Sequence, residues 1–198
     1  MSRILFIGGT RFVGRGMVEA ALERGHQVTL FHRGQSGADL FPSSEHILGD
    51  RNMDLEKLQG MTWDLVIDVA GFAPSVVRKS VEALQGTVNR YAFVSSISVH
   101  TEEGEGAIDE QSPLQQMPEG WDGIDEAVTP ETYGALKVLC EQEVSKVFGE
   151  NALLFRTGLV VGPNDVSDRF TSWVRAGAQD KEIDIPTTPD QPVQFTDA

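Results

Sequence analysis

Two side chains four residues apart carry pointed chemistry in this sequence. In Tyr133-Gly134-Ala135-Leu136-Lys137 a phenol and an ammonium fall at i and i+4, on one face of a helix. An ammonium beside a phenol favours the phenolate, so the tyrosine can exchange a proton with a substrate hydroxyl nearer neutral pH. Upstream, Ser95-Ser96 ends an apolar run and offers a hydroxyl that can hold a reacting oxygen beside the phenol. In this order the three parts suggest hydride transfer with proton exchange. Capping of a strand end is the plainer role for the serines.

A second constellation lies at the amino end. Gly8-Gly9-Thr10-Arg11-Phe12-Val13-Gly14 separates a short apolar run from a helical pattern. A dinucleotide fold needs glycines there, because the turn is tight and the backbone must approach a pyrophosphate at a helix N-terminus. The spacing reads G-G-x-x-x-x-G rather than G-x-G-x-x-G, and a purely structural turn is the alternative. The end of the second strand bears on which dinucleotide would bind. An NAD-selective site places Asp or Glu there for the ribose 2′-hydroxyl. This chain has Phe31-His32-Arg33-Gly34, with Arg33 nineteen residues past Gly14 and no carboxylate. Arg33, helped by Arg11, suits a 2′-phosphate through charge-assisted hydrogen bonds. NADP is therefore the favoured cofactor and NAD the second choice, with a solvated Arg33 as the plainer reading. Asp50 suits the adenine amino group or, equally, a turn.

The elements that must position these residues alternate. Strands are expected at Arg3–Ile7, Gln27–Phe31, Glu45–Leu48, Asp64–Ala70 and Tyr91–Ser95, with further strand over Ala152–Phe155 and Leu159–Val161. Helices are expected at Phe12–Arg24, Pro74–Leu84, Thr129–Phe148 (capped by Thr129) and Arg169–Ala178, with a helical patch near Asp54–Leu58. Continuous apolar strands alternating with helices predict an α/β fold, a Rossmann-like doubly wound parallel sheet with helices on both faces. A polar stretch from Ser98 to about Val128 connects strand five to the Tyr133 helix, and its Glu102–Glu126 part is acidic.

Composition narrows the class. Of 198 residues, 40% are hydrophobic and 23% charged, which is ordinary for a globular chain. Sixteen Lys and Arg against thirty Asp and Glu leave a net charge of −14, which argues against nucleic acid or anionic lipid as the main partner. No apolar run approaches the roughly 18 residues of a membrane span, and the glycines follow too closely on Ile7 for a signal peptide. One cysteine, Cys140, permits no internal disulfide or multi-Cys zinc site. His26, His32, His46 and His100 show no metal-ligand spacing, so no metal is expected. A cytoplasmic protein acting on a small molecule is the expectation.

The combination resembles the short-chain dehydrogenase/reductase superfamily, in its extended and atypical branch of NAD-dependent epimerases and dehydratases. The matching stretches are Ile7–Gly14, Gly49-Asp50-Arg51, Asp64–Gly71, Tyr91–His100, Tyr133–Lys137 and Leu154–Pro163. By that resemblance Ser96 is the catalytic hydroxyl, Tyr133 the general acid/base and Lys137 its partner, which also binds the nicotinamide ribose. The cofactor-binding set it implies is Gly8, Gly9, Thr10, Arg11, Phe12, Val13, Gly14, His32, Arg33, Asp50, Arg51, Ala70, Gly71 and Lys137. Departures are the glycine spacing, the lack of an Asn match in Ser75–Gln85, the 37-residue gap from Ser96 to Tyr133, and Thr157 where relatives often have Pro. Relatives continue past a segment like Pro192–Asp197. The expected division is therefore a dinucleotide domain over 1–165 and the incomplete start of a substrate region over 166–198, the C-terminal substrate domain being apparently truncated.

The remaining residues read more plainly. Cys140 is expected to be a small buried residue, and Trp63, Trp121 and Trp173 packing or loop residues. His100 is a minor candidate for approaching a substrate. Arg169 suits an anionic substrate group, and Asp168 suits a helix cap. In extended relatives the Tyr133 helix helps build a dimer, which makes a homodimer the expected assembly. Two functional alternatives stand beside the oxidoreductase, epimerase or dehydratase reading. One is a regulator that binds NADP without turnover. The other is RNA binding, since chloroplast stem-loop RNA-binding proteins share a similar glycine turn; the charge and the intact Ser/Tyr/Lys set oppose it.

Overall fold

The computed structural model describes residues 1–101, 108–179 and 194–198. Residues 102–107 of the acidic stretch and 192–193 of the end segment lie outside them. Six strands form one parallel sheet in the order β3-β2-β1-β4-β5-β6. They are β1 (Arg3–Ile7), β2 (Gln27–His32), β3 (Glu45–Leu48), β4 (Trp63–Asp68), β5 (Val88–Ser96) and β6 (Ala152–Thr157). Chain order reverses between β1 and β4, and such a switch point opens a crevice at the carboxyl edge of a parallel sheet.

Alternation along each strand distributes side chains to two cores. Leu5 and Ile7 of β1, Val66 of β4, and Tyr91 and Phe93 of β5 face one way. Helix α2 (Pro74–Leu84) covers them with Val77, Val81 and Leu84, and α3 (Tyr133–Phe148) with Cys140, Val144 and Phe148. Ile4, Phe6, Val28, Leu30, Ile67 and Ala92 face the other way, under Val18 and Ala21 of α1 (Phe12–Glu23). The expected doubly wound α/β architecture is therefore present.

The local differences have local causes. Helix α3 begins at Tyr133 rather than Thr129. Thr129 N–H donates to Thr132 Oγ1 at 2.9 Å, and Thr132 N–H to Thr129 Oγ1 at 3.3 Å. This hydroxyl-closed turn competes with helix and leaves Tyr133 as the first helical residue. The strand expected over Leu159–Val161 is β7, which leaves the main sheet and pairs in parallel with β8 (Phe195–Asp197). Helix α4 (Thr171–Ala178) follows β7 and buries no residue. Among the described residues, no helix is long and apolar enough to cross a membrane.

Candidate functional site

A cavity of about 1170 Å³ opens along the carboxyl ends of β1, β2, β4 and β5. It is lined by Gly8 to Gly14, by His32 and Arg33, by Asp50 and Arg51, by Ala70, and by Ser95, Ser96, Tyr133 and Lys137. Every residue of the catalytic and cofactor-binding sets except Gly71 thus converges on one space, although the sequence spreads them over 130 positions.

The glycine turn is built for close approach. Gly8 and Gly9 both have φ of +95°, a backbone region that side chains rarely enter. A Cβ on Gly14 would come within 2.9 Å of Val69 Cγ2 and 3.0 Å of Gly9 Cα, so this turn packs against the end of β4. Arg11 occupies the N-cap of α1 in extended conformation, and its side chain makes no capping bond. The first-turn N–H groups of α1 are thus left to the cavity, where the helix dipole favours an anion. The cavity, the glycines and this uncapped helix end fit a pyrophosphate-bearing dinucleotide.

At the end of β2, His32 is buried and Arg33 exposed. Gly34 N–H donates to His32 Nδ1 at 3.1 Å, so the ring proton of neutral His32 sits on Nε2. That proton goes to His46 Nδ1 at 2.9 Å, and His46 Nε2 donates in turn to the Phe41 carbonyl at 3.2 Å. Burial, with His46 adding to it, lowers the His32 pKa. Asp50 accepts from the Asn52 backbone N–H and side-chain amide, which holds its carboxyl below the usual range. Its geometry is that of a turn residue on the cavity wall.

Arg51 lines the cavity but directs its guanidinium inward. It makes a two-pronged ion pair with Asp68, at 2.9 and 2.7 Å, and reaches Ser80 Oγ. Burial works against the charge, yet Asp68 holds the Arg51 pKa above its ordinary value. Gly71 lies behind the wall: its carbonyl accepts from Lys137 Nζ at 2.8 Å, and a Cβ on it would strike Phe93.

Lys137 is 2% exposed. Its ammonium also donates to the Val94 carbonyl at 2.7 Å and sits 4.1 Å from the Phe93 ring centroid. Burial lowers its pKa to about 8. Two of the three ammonium protons thus go to backbone carbonyls, and Lys137 and Tyr133 both line the cavity. Ser96 Oγ donates to Ser98 Oγ and accepts from Ser98 N–H, so it also caps the short 3-10 turn Ile97–Val99. Gly134 presses α3 onto that turn, where a Cβ would overlap the Ser98 carbonyl oxygen.

Sequence reasoning missed several wall residues. Val69, Phe72, Val94 and Leu159 line the cavity, and their apolar character gave no signal of it. Thr157 and Arg169 line it as well. His100 does not: it is buried, with Nδ1 3.1 Å from the Ser112 carbonyl and Nε2 facing Arg156. Asp168 does not cap α4, whose N-cap is Phe170; it pairs with Arg175. Cys140 is fully buried, and burial pushes its thiol up to about 12. Trp63 is buried, whereas Trp173 is 46% exposed. The described residues hold no group of three or more potential metal ligands.

No family model matches the chain. The chloroplast stem-loop binding protein of 41 kDa b from Arabidopsis thaliana is 31% identical over 154 residues, which are 62% of this chain and 40% of that protein. A bifunctional pinoresinol-lariciresinol reductase from Sinopodophyllum hexandrum is 46% identical over 39 residues, 20% of this chain and 12% of the reductase. The chain thus matches well under half the length of these curated relatives. Among solved structures, UDP-glucuronic acid 4-epimerase from Bacillus cereus, in complex with UDP-glucuronic acid and NAD, superposes with a TM-score of 0.72 at 21% identity. That match covers 98% of this chain and 69% of the epimerase. UDP-N-acetylglucosamine 4-epimerase from the same organism gives 0.72 at 16% identity, over 100% and 67%. By fold, the chain is a Rossmann-like parallel α/β domain similar to the corresponding part of these epimerases.

Proposed function

We propose that this domain binds a nicotinamide dinucleotide and serves an oxidoreductase or epimerase acting at a carbon that bears a hydroxyl or carbonyl. The observation that carries the proposal is the convergence of the uncapped glycine turn with Ser96, Tyr133 and Lys137 on one cavity. The bound dinucleotide would supply or accept the hydride. Tyr133 would exchange the proton with the substrate oxygen, and Ser96 would hold that oxygen. Lys137, in this reading, presents positive charge beside both.

The neighbours with known substrates point to a nucleotide sugar as the favoured class. The Bacillus cereus UDP-glucuronic acid 4-epimerase is solved with NAD. Our preference for NADP rests on Arg33 and Arg11 at the cavity and on the lack of a carboxylate at the end of β2. Calorimetric titration with NADPH and NADH, with Arg33→Ala in parallel, tests both levels. The expected result is tighter NADPH binding that falls roughly 10- to 100-fold in the variant, toward the NADH value, as loss of a charge-assisted contact predicts. Equal binding of both cofactors overturns the NADP preference. Binding of neither overturns the dinucleotide reading.

The chloroplast relative, named as a stem-loop binding protein, favours one second reading, recognition of a nucleic-acid stem-loop. The net charge of −14 opposes it. A salt-dependent gel shift at micromolar protein would establish it, and no shift at low salt would dismiss it.

A further inference from the structure

Arg51 and Asp68 lie 17 residues apart, one after β3 and one at the end of β4, and meet in a two-pronged pair almost fully withdrawn from solvent. The Asp68 carboxylate takes two further donors, the Tyr91 hydroxyl at 2.8 Å and the Ala70 N–H at 3.0 Å. The bond to Ala70 fixes the backbone that leaves β4. The next residue is Gly71, whose carbonyl accepts from Lys137 Nζ. The second carbonyl on that ammonium, Val94, belongs to β5, one pleat beyond Phe93. The network therefore runs without a gap from the β3 edge of the cavity to its Tyr133 edge.

We propose that the Arg51–Asp68 pair is a positioning unit for Lys137: it locks the turn after β4 so that the Gly71 carbonyl, with that of Val94, aims the ammonium at the cavity. This deepens the reading of Lys137 as a site residue and rests on it. The pair touches neither cofactor nor substrate in this account. Its isolation from solvent is consistent with that role: a buried ion pair is weak evidence for net stability, whereas this one is held in a two-pronged geometry with two further donors on the carboxylate. An ammonium has three donors; two are directed to Gly71 and Val94, and the third is left for the cavity. The charged and titratable groups around Lys137 are Asp68 on β4, Arg51 after β3, Cys140 and Glu141 on its own helix, and Tyr133 one turn earlier.

The experiment follows the Lys137 ammonium by nitrogen NMR in the lysine-labelled chain, as a function of pH, in Asp68→Asn and Tyr91→Phe. Asp68→Asn removes the anion and should lower the titration midpoint by roughly one pH unit. Tyr91→Phe removes a donor that partly neutralises the carboxylate, and should raise the midpoint. Opposite displacements show that the Asp68 carboxylate acts on Lys137 in the geometry described, which a pair that only packs the core would not produce. Midpoints unmoved in variants that still melt cooperatively overturn the proposal. Should Asp68→Asn fail to fold, Tyr91→Phe decides alone: it keeps the ring against Phe148 and loses only the hydroxyl. NADPH titration of the unmodified chain runs alongside. Failure to bind there overturns the dinucleotide reading, whereas failure of the midpoints to move overturns only the positioning role.

Discussion

Gly134→Ala sets two physical effects against each other at the entrance of α3. Alanine is the better helix former, worth about 1 kcal/mol over glycine in a helix interior. Propensity alone therefore predicts a stabilised protein. The packing predicts the reverse. The new Cβ would overlap the Ser98 carbonyl oxygen and stand 3.1 Å from both its carbonyl carbon and Gln115 Cγ. Backbone cannot rotate away as a side chain can, so the start of α3 must retreat from the Ile97–Val99 turn by about 1 Å. Overpacking of this kind costs about 1–3 kcal/mol, which outweighs the propensity gain through most of its range. The net loss is up to about 2 kcal/mol, or up to about 8 °C in Tm for a chain of this size. Because Tyr133 precedes Gly134 and Ser96 caps the turn that is pushed away, the same retreat separates the phenol from the hydroxyl. A misplacement near 1 Å lowers turnover about 100-fold. The assay is a thermal melt of both proteins, followed by turnover with a nucleotide-sugar panel and NADPH or NADH. A raised Tm would show that propensity prevails and that α3 does not bear on Ser98 as described.

Three further outcomes follow from the site. Tyr133→Phe should abolish turnover while leaving dinucleotide affinity within about twofold, checked by kinetics beside calorimetry. Lys137, with a pKa lowered to about 8 from an ordinary 10.5, binds its proton less readily folded than unfolded. The folded chain should therefore gain stability as pH rises through 8 toward 10, by up to about 3 kcal/mol over the full window; urea melts at pH 7.5 and 9.5 should show a slope that Lys137→Met flattens. Cys140, buried and with its thiol pushed up to about 12, should resist a thiol reagent in the native protein and react fully in denaturant.

The sheet was legible because buried parallel strands write themselves as apolar runs, and β1, β2 and β4 do so over nearly their whole length. The amino end of β5 was not, since Val88-Asn89-Arg90 is half-buried or exposed and carries no apolar run. The start of α3 was misjudged for a related reason: Thr129 has the composition of a cap, but a second threonine three residues on closes a turn with it first. The cavity residues were found from their types. What they touch was not. Lys137 sits four residues from Tyr133 in sequence, yet its partners are carbonyls 66 and 43 residues away. Arg51 belongs to the cofactor set by resemblance, in Gly49-Asp50-Arg51, and lines the cavity, but nothing local announces its buried carboxylate partner 17 residues on. Such pairings are set by tertiary contact, which spacing does not encode.

The line from Gly34 through His32 and His46 to the Phe41 carbonyl has a direction. It begins at a backbone N–H, which can only donate, and ends at a carbonyl oxygen, which can only accept. Neither ring can flip without breaking bonds on both of its sides, so the strand end, the neighbouring strand and the loop between them keep or lose their order together. One amide reports on that whole line. Deuterium uptake at Gly34 would read out, from a single peak, the integrity of the cavity wall where Arg33 emerges.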